Sequence, residues 1–469
     1  MNAYKKLGRN TLIFTIGNIG SSLITFIMLP IYTNFLSTNE YGIIDFITVT
    51  LNFLLPILTL NIAEAILRFG IDKNYNNKKV FTTAIYIFIG IAIIIYPIFF
   101  ILFKNSNLSI NSELAIFIII NVCLYPIFQQ FTRAIGKVKI YAISDILYTL
   151  IFAIFNIIFI VNYKMGIKGY FAAFLLAKLI VNIFLIIFSK LYKFFSFNSY
   201  DKIYAKSFIK YSIPLIPNSL SWWIVNLSDR YALLYFCGGS ILGVYSVANK
   251  IPTILSTLYG IFSKAWQISS FEEYDNDKKE AFYSSVMKYL FIFMTLIAMI
   301  MIIFIDFIAD IFIGDSFYEA IVYIPILIIA FVFSAYSSFL GTIYTASKNT
   351  NEILKTTIFS AIINIIINII FIPLFGPMIA AWSTLISYLA LFIYRLLDVR
   401  KYVKIKFSKL NLIICSGLLL SQAIVVIEIN NIYLRFIINL IIMIIYFFMQ
   451  ISSIIKIYKE AILRRIKTK

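Results

Sequence analysis

The chain is 469 residues long, 61% hydrophobic and only 13% charged, with 40 Lys and Arg against 21 Asp and Glu and no histidine. That apolar share excludes an ordinary soluble domain and points to a bilayer. Without histidine the commonest general base is missing, which argues against hydrolytic or metal-dependent chemistry. Cys123, Cys237 and Cys415 stand isolated in apolar sequence and indicate neither a disulfide framework nor a metal site.

The opening MNAYKKLGRN is followed by the apolar run TLIFTIGNIGSSLITFIMLP. This run is too long for a signal h-region and lacks a small-x-small cleavage site, so it reads as an uncleaved first span. Crossing a hydrocarbon core takes roughly 20 apolar residues. Such stretches recur about fourteen times, near 11–35, 42–66, 80–103, 114–132, 143–162, 168–189, 208–236, 243–266, 286–312, 319–345, 354–373, 377–397, 410–427 and 433–455. With both termini placed in the cytoplasm, the basic clusters at Lys78-Lys79, Lys202-Lys206-Lys210, Arg400-Lys401 and Arg464-Arg465 all fall inside. The outer segment 306–319 carries Asp306, Asp310, Asp315 and Glu319 with no base. This is the positive-inside pattern. It accounts for most of the formal net charge of +19 without nucleic acid, and it would draw the inner face to anionic lipid headgroups.

Taken in chain order, the spans form two similar blocks. IGNIGSS at 16–22 resembles IPNSLSW at 216–222, and Tyr32 and Gly42 are answered by Tyr231 and Gly243. Six spans in each block predict a duplicated unit related by an axis along the membrane normal. The resulting divisions are an N-terminal lobe over 1–190, a linker over 191–207 with aromatics and lysines suited to an interfacial helix, a second lobe over 208–400, and an extra helix pair with a basic tail over 401–469. All ten prolines lie within or at the edge of a predicted span, as kinks or as packing features.

Polar residues inside these spans are expensive in lipid and mark candidate sites. Span one carries Asn18, Ser21 and Ser22; span six carries Lys178 and Asn182; span seven carries Asn218, Asn226, Asp229 and Arg230. In span eight, Ser246, Lys250, Thr253, Thr257, Gly260 and Lys264 recur in steps of four and three, on one face of a helix. In span eleven, Ser360, Asn364 and Asn368 recur every fourth residue. These side chains either line a hydrophilic cavity or bond helix to helix, each such pair contributing about 0.6 kcal/mol. A wet cavity with Lys178, Arg230, Lys250 and Lys264 around it suits an anionic cargo, because Arg forks onto phosphate oxygens and Lys offers a point charge. Asp229 is placed to neutralise Arg230 or Lys250. Glu64 and Arg68 form an i, i+4 pair. Asp45 and Asp145, near their span starts, read as helix caps or as proton or sodium sites of a coupled exchanger. No cofactor is indicated.

LPIYTNFLSTNEYGIID at 29–45, EAILRF at 64–69, SDRYALLYF at 228–236, LGVYSVANKIP at 242–252 and KAWQ at 264–267 together resemble the polysaccharide-biosynthesis flippases of the multidrug, oligosaccharidyl-lipid and polysaccharide exporter superfamily. The match is nearest to the Wzx-like branch. The resemblance implies an all-α polytopic membrane protein of about fourteen transmembrane helices, two six-helix lobes around a central cationic cavity plus a C-terminal helix pair. It also implies a bacterial cytoplasmic (inner) membrane location and translocation of undecaprenyl-diphosphate-linked oligosaccharide between leaflets for O-antigen or capsule synthesis, in company with polysaccharide polymerase machinery. In related lipid II flippases an arginine stands in the first span; Asn18, Ser21 and Ser22 here argue against a peptidoglycan precursor. The rival readings are a drug or cation antiporter of the same superfamily, which needs an acidic cavity, and a membrane polymerase or glycosyltransferase, which needs a larger or acidic outer loop.

Overall fold

The structure is a computed structural model that describes residues 20–72, 74–104, 112–274, 276–347, 349–406 and 408–467. Among these no strand occurs, and eleven helices are long and apolar enough to cross a membrane. They coincide with predicted spans two to six and nine to fourteen. The first predicted span begins outside the described residues. The seventh and eighth are helical but interrupted.

The chain forms two compact units, Met1–Gly243 and Val244–Lys469. In the first, α1 (Leu29–Phe35) and α2 (Thr38–Leu58) are followed by α3 (Ile62–Ile71), α4 (Asn77–Lys104), α5 (Ser112–Ala134), α6 (Val138–Asn156), α7 (Gly166–Phe188), α8 (Lys202–Ser212) and α9 (Ile216–Cys237). Its core sits where α3, α4, α5 and α7 converge, with Ile62, Ile66, Phe81, Ile127, Phe131 and Leu185 all buried. The second predicted span is thus two helices. Pro56 weakens the end of α2, and Leu60 and Asn61 adopt left-handed backbone between α2 and α3.

Ser37 caps α2 with a capping box, accepting from the Glu40 N–H while the Glu40 carboxylate accepts from the Ser37 N–H. Asp45 lies two turns inside that helix, and Asp145 likewise lies well inside α6, which starts at Val138. Neither carboxylate is a cap. The cap reading fails because both helices start earlier than their apolar runs.

The segment after α7 is stapled to α4. Thr82 donates to the Phe194 carbonyl and accepts from the Ser196 N–H; Thr83 accepts from the Asp201 N–H. Lys79 and Asp201 form an ion pair at 3.0 Å. Lys79, bonded directly to it, together with the N–H groups of Ile203 and Tyr204, holds the Asp201 carboxyl below its ordinary range. Asp201 also caps α8, on which Lys202, Lys206, Lys210 and Ile203 are exposed while Ala205 and Phe208 are buried. α8 thus has an exposed basic face and a buried apolar one, but it starts only at Lys202; the earlier part of the linker segment forms short turns at Leu191–Phe194 and Phe197–Ser199. A short turn at Ile213–Leu215, with Pro214 and Pro217, separates α8 from α9.

α10 (Gly239–Lys250) carries the chain from the first unit into the second, and a turn at Ile251 and Pro252 breaks it from α11 (Thr253–Glu273). The polar stripe predicted along span eight therefore runs over two helices, with Lys250 at the break. The second unit continues through α12 (Lys279–Ile303), α13 (Ile305–Phe312), α14 (Ile324–Ala346), α15 (Thr350–Phe375), α16 (Met378–Asp398), α17 (Lys409–Glu428) and α18 (Ile432–Lys467). α14 is its buried post, packed by α11, α12 and α16. The C-terminal pair lies on α12: Tyr446 donates to the Ile292 carbonyl, and Arg435 pairs with Asp306 at 2.8 Å.

Candidate functional site

Two polar clusters are buried in the first unit. In one, α2 meets α9: Arg230 Nε donates to Asp45 Oδ2 at 2.8 Å, and both side chains are almost wholly buried. Asp229, the neighbour expected to neutralise Arg230, is buried as well, but a carboxylate 185 positions away takes the Nε bond. Adjacent helical residues point about 100° apart, whereas a residue on a facing helix can meet the guanidinium head-on. Arg230 is thus a tie between helices in this conformation.

The helices approach closely at that tie. A Cβ on Gly42 would strike the Gly239 carbonyl, and one on Gly243 would strike the Thr38 carbonyl. Glycine at all three positions lets the start of α2 lie against the start of α10 at backbone contact. Tyr41 and Tyr32 pack beside it, their ring centroids 6.1 Å apart.

The other cluster joins α5, α6 and α7. Lys178 on α7 is buried to 9% exposure, and its Nζ stands over two ring faces, 3.6 Å from the Tyr125 centroid and 3.7 Å from that of Tyr148. Among the described residues no carboxylate lies within ion-pair distance of it and no hydrogen bond from Nζ is formed; the two rings are its contacts, and Asp145 acts on it only through space. Asp145, the nearby acid, is engaged elsewhere: Oδ1 accepts from Tyr125 Oη at 2.7 Å and from Gln129 Nε2 at 2.7 Å. Gln129 also donates to Tyr125 Oη and Ser144 Oγ. Tyr148 and Asp145 are half-buried, whereas Lys178 is buried. From Tyr148 an aromatic row continues through Phe152 and Tyr170 to Tyr32.

Asn364 and Asn368 are buried between α15 and α16: Asn368 donates to Asn364 Oδ1, Asn364 donates to Ser383 Oγ, and Ser383 donates to Asn368 Oδ1. Ser360 donates to the Ser387 carbonyl in the same seam. Of the two readings open for this row, helix-to-helix bonding is the one these contacts fit. Lys250 and Lys264 are half-buried on the broken span. Glu64 and Arg68 are exposed on α3, and no ion pair joins them. Asn18 lies outside the described residues, as do the side chains of Asn218 and Asn226. Among the described residues no group of His, Cys, Asp and Glu is set to hold a metal.

One buried cation escapes sequence reasoning. Arg395 on α16 is 1% exposed and donates to the Ser337 carbonyl, Thr356 Oγ1 and Thr357 Oγ1 at 2.9–3.0 Å. Gly341 makes room for it, since a Cβ there would come 2.9 Å from Nη1. Its place near the end of a span disguises it as one more snorkelling base; the glycine and the paired threonines are the signal.

The comparisons agree with this architecture. The family model described as "Polysaccharide biosynthesis protein" matches residues 7–266, and the MatE family model matches 214–370. Among solved structures the chain is similar to "Lipid II flippase MurJ, inward closed conformation", at 16% identity and a TM-score of 0.73 over 94% of this chain and 100% of that one. It is also similar to an inward-facing multidrug resistance MATE family transporter of the MOP superfamily, at 14% identity and a TM-score of 0.63 over 83% and 95%. An outward-facing MATE family transporter gives 16% identity and 0.59 over 84% and 94%. Among curated proteins none matches the chain. With more than half its length covered by one family model and its helices arranged as in these transporters, the chain belongs to the polysaccharide biosynthesis protein family and has the fold of the MOP superfamily.

Proposed function

We propose that the protein moves an undecaprenyl-diphosphate-linked oligosaccharide from the cytoplasmic to the outer leaflet of a bacterial inner membrane by alternating access. The translocated units serve surface polysaccharide synthesis, O-antigen or capsule, in company with a polymerase. The carrying observation is Lys178: a buried ammonium held by two ring faces, with no carboxylate in ion-pair contact among the described residues, favours an anionic headgroup and opposes a cationic drug. The family match supports a glycan-related cargo. The basic residues Lys178, Lys250 and Lys264 are the proposed diphosphate contacts. Arg230 joins them only by giving up Asp45, so its proposed role is limited to a state in which that tie is open. Asn and Tyr side chains along the path contact the sugars, with Asn18, Asn218 and Asn226 the proposed candidates of the first and seventh spans.

A second reading, a drug or cation antiporter, is favoured by the MatE match over 214–370 and by Asp145 beside the Lys178 cluster. Purified protein in vesicles, given a fluorescent lipid-linked oligosaccharide and an outer-leaflet quencher, separates the two. The flippase reading expects Lys178→Ala and Lys250→Ala each to slow translocation about tenfold or more, the loss of one charge-assisted contact of about 1.5–3 kcal/mol. Unchanged rates in both variants, or dye efflux driven by a cation gradient with no glycan movement, would overturn it.

A further inference from the structure

A lysine deep in a bilayer-spanning bundle ordinarily finds a carboxylate, because an unpaired charge there is costly. Lys178 instead has two aromatic faces, at 3.6 and 3.7 Å. Such faces offer part of what water offers a cation, yet they leave its charge uncancelled. The nearby carboxylate, Asp145, acts on it only through space, since its Oδ1 accepts from Tyr125 and Gln129. The cage wall Tyr125 is at once a ring under the ammonium and the hydrogen-bond donor to Asp145. Movement of Lys178 therefore acts directly on the α5–α6 contact.

We infer that the Tyr125–Tyr148 cage is a resting place for the Lys178 ammonium, which leaves it for a phosphate oxygen when a prenyl diphosphate headgroup arrives. The inference rests on the proposed flippase reading and adds how the site answers its cargo. Cage and headgroup compete for one cation. An Arg–carboxylate pair such as Arg230–Asp45 must break two charge-assisted partners apart before it can serve an anion, whereas Lys178 exchanges ring faces for a stronger acceptor. Tyr148 and Asp145 are the less buried members of the cage. On departure Tyr125 keeps its bond to Asp145 but loses the charge over its ring, and the three helices are free to settle differently.

The competition has a specific signature: weakening the cage should strengthen binding. Tyr148 suits the test because only its ring contacts place it in the cluster. Farnesyl diphosphate binding to the full-length protein in nanodiscs is measured calorimetrically for wild type, Tyr148→Leu, Lys178→Gln and the double variant. The expected result is affinity raised about 3- to 30-fold by Tyr148→Leu, the range of a desolvated cation–ring contact, lowered by Lys178→Gln, and in the double variant equal to that of Lys178→Gln alone. Near-ultraviolet absorbance of the wild type should also shift on adding inorganic diphosphate, with no shift in Lys178→Gln. Unchanged or weaker binding in Tyr148→Leu, or the same gain with Lys178 absent, overturns the exchange, and so does a wild type that shows neither binding nor a spectral shift. Oligosaccharide translocation in vesicles reports separately. If it survives while the exchange fails, the flippase reading stands alone; if it is absent while Tyr148→Leu tightens diphosphate binding through Lys178, the exchange stands and the glycan cargo falls.

Discussion

Arg230 and Lys178 are both cations removed from water, and the fold answers them differently. Arg230 has a carboxylate at 2.8 Å with both partners buried; removing one half of such a pair strands the other. Arg230→Ala should therefore cost about 3–5 kcal/mol, and Asp45→Leu combined with Arg230→Met should recover most of that loss, as apolar replacement of a whole buried pair does. Thermal unfolding of detergent-solubilised protein checks both. A double variant no more stable than Arg230→Ala would show that the tie is not what α2 and α9 depend on. That these residues are charged and intramembrane is plain in the sequence. Their partners are not: the sequence offers Asp229 beside Arg230, and only helix packing brings Asp45 to Nε as well. Tyr125 and Tyr148 are likewise two tyrosines among 32 until Lys178 is placed over them.

At the scale of the element, the apolar runs announce the helices while prolines and glycines decide where they stop. Pro56 and Pro252 break spans two and eight, each of which reads as one continuous stretch, because hydropathy carries no record of a backbone turn between two equally greasy halves. The same blindness hides the crossing at Gly42, Gly239 and Gly243. A side chain on Gly243 meets the Thr38 carbonyl, whereas one on Gly90 meets nothing within 4 Å. Gly243→Val should lower stability by about 1–3 kcal/mol or more, while Gly90→Val, also within a helix, should cost under about 1 kcal/mol, the scale of propensity alone. Equal melting temperatures for the two variants would mean that α2 and α10 do not need backbone contact. The four-residue rhythm of Ser360, Asn364 and Asn368 was legible as a shared face, but rhythm cannot say whether a face meets water or another helix. Here Ser383 and Ser387 supply the missing half.

For the whole molecule, the distribution of charge is the most reliable text in the sequence, because it depends on counting bases between spans and on no contact at all. It predicts that cysteines placed at 202–206, in a variant lacking Cys123, Cys237 and Cys415, react with an impermeant maleimide only from the cytoplasmic side. Cysteines placed at 315–319 should react only from outside. Labelling of both segments from one side would invert or break the proposed topology. The count of about fourteen spans depends on the same logic, with eleven meeting the length and hydropathy of a crossing helix among the described residues.

The segment 191–207, read from the sequence as a linker, looks by composition like slack. It is instead fastened along α4 by Thr82, Thr83 and the Lys79–Asp201 pair as far as the start of α8. Lengthening it with glycine and serine near 196–200 would therefore sever anchorage before it granted reach. Where α8 hands over to α9 the link is only the three residues Ile213–Leu215, with Pro214 at their centre, so glycine at that proline is the change that would loosen the handover.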